Sequence, residues 1–466
     1  MNGAVIREHG PSILVALLSS AFGVALLQTT TALALVVGAD PATGDSGQVA
    51  LMLGVLAGVF IVIALYVGSV VTSNTFATII AGRTKTIALM RLIGSTASAQ
   101  RRAVAREGLL IGVIGAGLGA LVGTAVAAAM FSLLVWMDIL PALGFNYLQP
   151  IAVLPAVAVI LTTWLASWTG SRKVLVVAPV QAIGAAQELS HEETTGRRGR
   201  NAFAIALFLC GIGTVLLGVA VGFITPAGVL IGVVGGVLSF TGLMLGAHLV
   251  MPPVLRLVGR AFGASPSARL AAQNAVRYPE RSSRNTIGLV IGVTLVTMFA
   301  VAIRSFETML RRSAEGNPES LAGIETVMMI AVAVMSILTG FSAVIAAVGM
   351  VNNLSLSVLQ RTRELGLLRA LGFTASQVRR MILAESAQLT FAAVLVGLLL
   401  GTFYGWAGAQ ALLGSSLGSP TLMVPGIPVT ILVIIVGGAA LLTWVASVAP
   451  ARRATTIAPV TALAVQ

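Results

Sequence analysis

The residues whose types suit chemistry are few, and their spacing limits what they can do. The string nearest to a phosphate-binding loop is Gly82-Arg83-Thr84-Lys85-Thr86. It lacks the glycine before the lysine and the glycine-rich turn whose amides would cradle phosphates, so no ATP hydrolysis, and no enzyme activity, is expected of this chain alone. His9, His191 and His248 are scattered without ligand spacing, and the one cysteine, Cys210, sits in an apolar run. Neither a metal centre nor a disulfide framework is indicated, and no cofactor is expected here. The apolar runs keep Asp, Glu, Lys and Arg away from their middles, with Glu107, Glu385, Glu325 and Asp138 at or near ends, which argues against an ion-coupled carrier. What remains is a charged, ordered stretch from Arg361 to Glu385, RTRELGLLRALGFTASQVRRMILAE. Its side chains suit a surface on which something pushes.

That stretch occurs twice. Arg83, Thr84, Arg91, Gly94, Thr96, Ala97, Ser98, Arg101, Arg102 and Glu107 fall opposite Arg361, Thr362, Arg369, Gly372, Thr374, Ala375, Ser376, Arg379, Arg380 and Glu385 without a gap. Taking about 100° per residue, Leu367, Leu368 and Leu371 share one face of a helix beginning near Arg361, while Arg369 points the other way. Such a helix fits the bilayer surface or a partner's groove. Gly372 suits a helix C-cap, and Thr374 with Gln377 reads as a capping box opening a second helix that climbs into the membrane, with Arg379 and Arg380 snorkelling at the interface.

The elements that must position these stretches are membrane spans. The chain has 466 residues, of which 57% are apolar and only 9% charged, and its mean hydropathy is +1.00. No ordinary soluble domain has that composition. Ten apolar runs are near or beyond the roughly 20 residues that cross a bilayer. They lie near 12–37, 49–81, 107–136, 150–170, 201–222, 228–251, 285–303, 324–354, 385–411 and 427–448. The first is too long for the apolar part of a secretory signal. With the N-terminus inside, all of the 28 basic residues except Arg304, Arg311 and Arg312 fall on the cytoplasmic side, as positively charged inner loops require. The net charge of +13 therefore speaks for membrane topology, not for nucleic acid.

The repeat continues beyond the charged stretch. Trp164, Ala166, Ser167, Arg172, Lys173, Ala178, Pro179 and Val180 follow the fourth run as Trp444, Ala446, Ser447, Arg452, Arg453, Ala458, Pro459 and Val460 follow the tenth. The expected fold is an all-α polytopic protein of ten transmembrane helices: a four-helix unit over 1–184, a charged linker and two-helix insert over 185–264, and an interfacial helix with a second four-helix unit over 265–466. The two units have the same orientation, which disfavours an inverted-repeat carrier. Gly115, Gly119 and Gly123 in the third run and Gly397, Gly401 and Gly405 in the ninth recur every four residues, and are expected to pack helices closely. Gly228, Gly232 and Gly236 in the insert carry the same expectation.

Glu364-Leu-Gly366-Leu-Leu-Arg369-Ala370-Leu-Gly372, running into a helix and the next span, resembles the signature of FtsX-like permeases, the membrane subunits of mechanotransmitting ABC transporters. Ser267 to Arg281 resembles the interfacial segment that often precedes such a unit. The likeness covers residues 49–184 and 265–466, and the arrangement is similar to that of the ten-span bacitracin-resistance type. In the first copy Thr86 and Ala88 stand where the glutamate and first glycine are found. The resemblance implies a pair of separate ATPase subunits, carrying ATP and magnesium, docked under the two linkers. Glu364, Gly366, Arg369, Ala370 and Gly372 would form the stronger contact, Arg91 and Gly94 the weaker. It implies a bacterial inner-membrane protein with both termini cytoplasmic, in which one chain supplies both halves. Outer segments near 38–48, 137–149, 304–323 and 412–426 leave no room for a folded ectodomain. A lipid, drug or antimicrobial peptide taken from the membrane is the simplest substrate. The other readings are a signal transmitter that moves no substrate, a secondary transporter, and a structural scaffold.

Overall fold

The computed structural model describes residues 3–39, 89–90, 92–137, 144–147, 150–171, 198–261, 270–273, 279–314, 367–415 and 422–456, with scattered positions between 55 and 73. Nine long helices organise them: α1 (Gly3–Ala39), α2 (Ala97–Trp136), α3 (Val153–Gly170), α4 (Arg198–Gly222), α5 (Gly228–Leu245), α6 (Ala247–Ala261), α7 (Pro279–Ala314), α8 (Ala375–Leu413) and α9 (Val429–Thr456). A 3-10 turn, Pro150–Ala152, leads into α3. There is no strand among the described residues. Six stretches are long and apolar enough to cross a membrane, namely Ser12–Thr29, α2, α4, α5, Thr286–Met309 and α8, while Val153–Thr169 and Val429–Trp444 are shorter apolar helices. The run near 49–81 is described only at scattered positions, all helical, and the run near 324–354 lies outside the described residues.

Small residues set the helix crossings. A Cβ placed on Gly115 would stand 2.5 Å from the Ala16 Cβ, one on Gly119 2.7 Å from the Ser20 Cβ, and one on Gly123 2.5 Å from the Ala21 carbonyl, so α2 meets α1 backbone to backbone. The second crossing is built alike. Gly397 faces Val293, Gly401 would bring a Cβ within 2.5 Å of the Thr297 Cβ, and Gly405 abuts the Met298 carbonyl, which joins α8 to α7. Both pairs run parallel, since contacts advance together along the two helices. Without a hydrophobic drive between helices in lipid, such close approach supplies the dispersion contact that holds them. Ser20 adds a hydroxyl bond to the Ala116 carbonyl at 2.9 Å.

The insert departs from its expected packing. The α4–α5 hairpin closes on Gly211 and Gly218 against Gly228, Gly235 and Gly242, each of which would drive a Cβ into facing backbone. Those glycines recur every seven residues. Gly232 and Gly236 have open space where a Cβ would be, although Gly218 would bring a Cβ within 2.5 Å of the Gly232 amide nitrogen, so of the three glycines spaced by four only Gly228 would itself drive a Cβ into the facing helix. A period of 3.6 explains the difference, because two turns return a residue to the same face more closely than one.

Two boundaries also differ. The run near 228–251 is not one helix: α5 stops at Leu245, capped by Gly246, and α6 sets off separately. α6 buries Ala247, His248, Met251, Pro252 and Leu255 on one side and exposes Arg256 and Arg260 on the other, the pattern of a helix lying along an interface. The helix of the seventh run continues beyond its expected end near 303, as far as Ala314. There Glu307 accepts from Arg304 at 2.6 Å and from Arg311 at 3.1 Å, and these one-turn ion pairs stabilise the polar extension.

Hydroxyls and amides tie the insert to its neighbours. Tyr66 of the second run bonds Thr241 of α5 at 2.8 Å, and Tyr404 of α8 bonds Ser239 of α5, also at 2.8 Å. Gln388 of α8 donates to the Leu255 carbonyl of α6 at 2.8 Å. Within the second unit Thr390 and Thr443 meet at 2.6 Å, joining α8 to α9.

Candidate functional site

The two charged stretches fold into the same turn. Leu367 to Ala370 are helical, and Gly372 follows at φ +100°, a conformation that favours glycine. The Gly372 amide donates to the Arg369 carbonyl at 3.1 Å and the Phe373 amide to the Leu368 carbonyl at 3.1 Å, the paired bonds of a Schellman cap. Thr374 then opens α8 with a full capping box: its hydroxyl accepts from the Gln377 backbone amide at 3.2 Å, and the Gln377 side-chain Oε1 accepts from the Thr374 backbone amide at 2.9 Å. In the earlier copy Gly94 lies at φ +99°, and the Ser95 amide reaches the Met90 carbonyl at 3.0 Å. Thr96 caps α2 through the Ala99 amide at 3.2 Å. Each turn thus leads directly into one long helix, 40 residues in α2 and 39 in α8.

The copies differ in what lies under them. Leu368 and Phe373 pack with Leu270, Ala271, Val378, Met381 and Ile382, so the second turn rests on an apolar seat supplied partly by the segment before α7. Among the described residues no comparable cluster forms beneath the first turn, where Ser95 stands at the place of Phe373 and bonds Gln100 instead at 2.9 Å. Both turns present apolar tips outward: Ile93 is 80% exposed and Leu371 71%. The expected shared face of Leu367, Leu368 and Leu371 is split, with Leu368 turned to the seat while Leu367 and Leu371 face out. Arg101, one turn into α2, lies over the Trp168 ring at 4.2 Å, which anchors that helix beside α3.

Of the residues expected to form the coupling contact, Arg369 is half-buried, Ala370 and Gly372 are exposed, and Gly94 is exposed. Arg91, Glu364 and Gly366 lie outside the described residues. The sequence profile of the family described as FtsX-like permease C-terminal matches residues 58–178 and 336–459. The chain belongs to the FtsX-like permease family. Both matched stretches of this permease contain one of the turns. Among curated relatives it is 36% identical over 105 residues to an uncharacterized ABC transporter permease, YknZ, of Bacillus subtilis, covering 22% of this chain and 25% of the relative. It is 32% identical over 132 residues to the ABC transporter permease YtrF of the same organism, covering 26% and 30%. The macrolide export ATP-binding/permease protein MacB of Rhodopirellula baltica is 32% identical over 127 residues, covering 27% of this chain and 17% of that protein. The similarity thus spans less than a third of each of these relatives. Together with the apolar helices, the family match makes this a multi-pass membrane protein of the ABC permease type.

A second feature escaped the sequence reading. A cavity of about 230 Å³ lies between α5, α7, α8 and the second run, walled by residues such as Ile63, Val67, Val233, Phe240, Leu295 and Phe299. Its polar groups are sparse: Tyr66 and Tyr404, held by their bonds to α5, Thr294, and Glu307 at one end. Gly232, Gly236 and Gly408 line it without a side chain. The signal in the sequence was the pair of insert glycines, Gly232 and Gly236, where an added Cβ would meet nothing within 4 Å. Among the described residues no group of His, Cys, Asp and Glu is placed to hold a metal ion.

Proposed function

We propose that this chain is the permease subunit of an ATP-driven ABC transporter whose hydrolysis takes place on a separate pair of ATPase subunits. The observation that carries this reading is the matched pair of capped glycine turns, each tipped with exposed apolar residues and each rigidly continuous with a helix of about 60 Å at 1.5 Å per residue. An exposed Leu or Ile at the tip of a fixed turn, beside basic residues, suits a groove on a protein partner. A push on the turn would tilt α2 or α8 as a lever, and the glycine crossings would pass the tilt to α1 and α7.

In this reading the chain has ten spans, arranged as units over 1–184 and 265–466 around an insert over 185–264, with both termini in the cytoplasm of a bacterium. One chain then supplies both membrane halves, and it has no nucleotide site of its own. Its substrate is hydrophobic or amphiphilic and enters from the membrane, for which the apolar cavity gives support. The test is reconstitution with the ATPase that co-isolates with it. Vesicles should show substrate movement that needs ATP, and Glu364→Ala should lower both that movement and the hydrolysis linked to it. Movement that persists in ATP-depleted, energised vesicles would instead mark a secondary transporter.

A further inference from the structure

The cavity beside the insert is elongated and has a charged end. Along α7 its lining runs from Ile291 to Glu307, roughly 24 Å at 1.5 Å per residue. A volume near 230 Å³ spread over that length makes a narrow slot, suited to a flexible chain and not to a rigid polycycle. The walls are mainly aliphatic and aromatic.

The end of the slot at Glu307 carries the one described set of basic side chains on that side of the bundle. Arg304 and Arg311 are 56% and 67% exposed, and both hold Glu307 between them. Arg304 spends one N–H on that carboxylate, and Arg311 spends two. A guanidinium has five N–H donors, so both retain donors toward solvent. Arg312 stands beside them against Met423 at 3.1 Å. Two cations on one carboxylate leave this pairing with an excess of one positive charge beside an apolar slot.

We infer that this slot binds an amphiphile with a single long hydrocarbon chain and an anionic head, the chain between α5, α7 and α8 and the head on Arg304 and Arg311. The inference deepens the proposed transport function by naming its substrate class, and it rests on that reading only for the idea that the bound molecule is moved. The occupant is chosen by two matched demands: walls with few hydrogen-bonding groups disfavour a polar chain, and paired arginines select carboxylate or phosphate. The insert supplies one whole wall, which gives the two extra helices a function beyond spacing.

The experiment uses the purified full chain in nanodiscs of neutral phosphatidylcholine, with no ATPase present. Three probes of equal chain length carry a diazirine at the chain end: a fatty acid, a lysophosphatidic acid, and a monoglyceride. The anionic probes should label α5, α7 or α8 about tenfold more than the monoglyceride, as expected for charge-assisted bonds to arginine. Which anionic probe labels more distinguishes a carboxylate from a phosphate source. Gly236→Leu and Gly408→Leu, tested singly, place side chains in space where a Cβ meets nothing within 4 Å, and each should abolish labelling while leaving thermal stability unchanged. Arg311→Gln, on the surface, should reduce the preference for anionic probes while leaving monoglyceride labelling as it was. Equal labelling by all three probes means ordinary bilayer lipid and overturns the inference, as does labelling that survives both filled-slot variants. Because no ATPase is involved, failure here leaves the coupling turns standing, and failure to find an ATPase leaves this site standing.

Discussion

Replacing Gly372 with alanine isolates the geometry of the second turn. A Cβ there would meet nothing within 4 Å, so the whole penalty comes from holding an L-residue at φ +100°. That costs about 1–3 kcal/mol, which lowers the population of the native turn about 5- to 150-fold relative to alternatives. The relaxed chain moves to negative φ, breaks the bonds from Gly372 to Arg369 and from Phe373 to Leu368, and swings the exposed Leu367 and Leu371 away from their fixed positions. Asparagine tolerates the left-handed region better, so Gly372→Asn should recover part of what Gly372→Ala loses. The assay is substrate moved per ATP hydrolysed by the reconstituted complex, with expected order wild type, then Asn, then Ala. If the alanine variant couples as well as the wild type, the turn is not in the path of force and the lever account is wrong.

Other outcomes follow from the same structure. Glu364→Ala should impair transport-linked hydrolysis more than Thr86→Ala, because the first copy has no charge at that place, and equal losses would refute unequal docking. Thr374→Ala removes a capping box and should cost about 1 kcal/mol in local helix stability, read as faster amide exchange at the start of α8. Gly401→Leu should overpack the α7–α8 crossing by at least about 1–3 kcal/mol, lowering the thermal midpoint of the purified protein. Gln388→Ala leaves the buried Leu255 carbonyl without its side-chain donor and should cost about 1–3 kcal/mol, with chemical denaturation in detergent as the measurement.

Much of this was legible in the sequence because it rests on local rules. Gly372 before Thr374 and Gln377 announces a stop and a start, and the backbone has both. Gly119 and Gly401 stand on the faces that meet neighbouring helices, as their four-residue recurrence implies. What was not legible depends on which faces meet across long separations. Gly232 and Gly236 look the same in sequence as Gly228, yet of the three only Gly228 would drive a Cβ into the facing backbone, because the hairpin's register selects a seven-residue period. The break at Gly246 was hidden by continuous apolarity, since α6 has an amphipathic face that reads as span until Pro252. Tyr66 and Tyr404 reveal themselves only when Thr241 and Ser239 are brought opposite them, and the cavity they border is a product of that assembly.

The central claim is that energy enters through two inner turns from a nucleotide-hydrolysing partner. The most direct measurement is site-specific cross-linking from those turns, in a Cys210→Ser background that removes the native exposed cysteine. Ile93→Cys and Leu371→Cys should each cross-link to the ATPase subunit, with yields that change between nucleotide-free and ATP-bound states. Cross-links confined to lipid, or unchanged by nucleotide at both positions, would contradict the account.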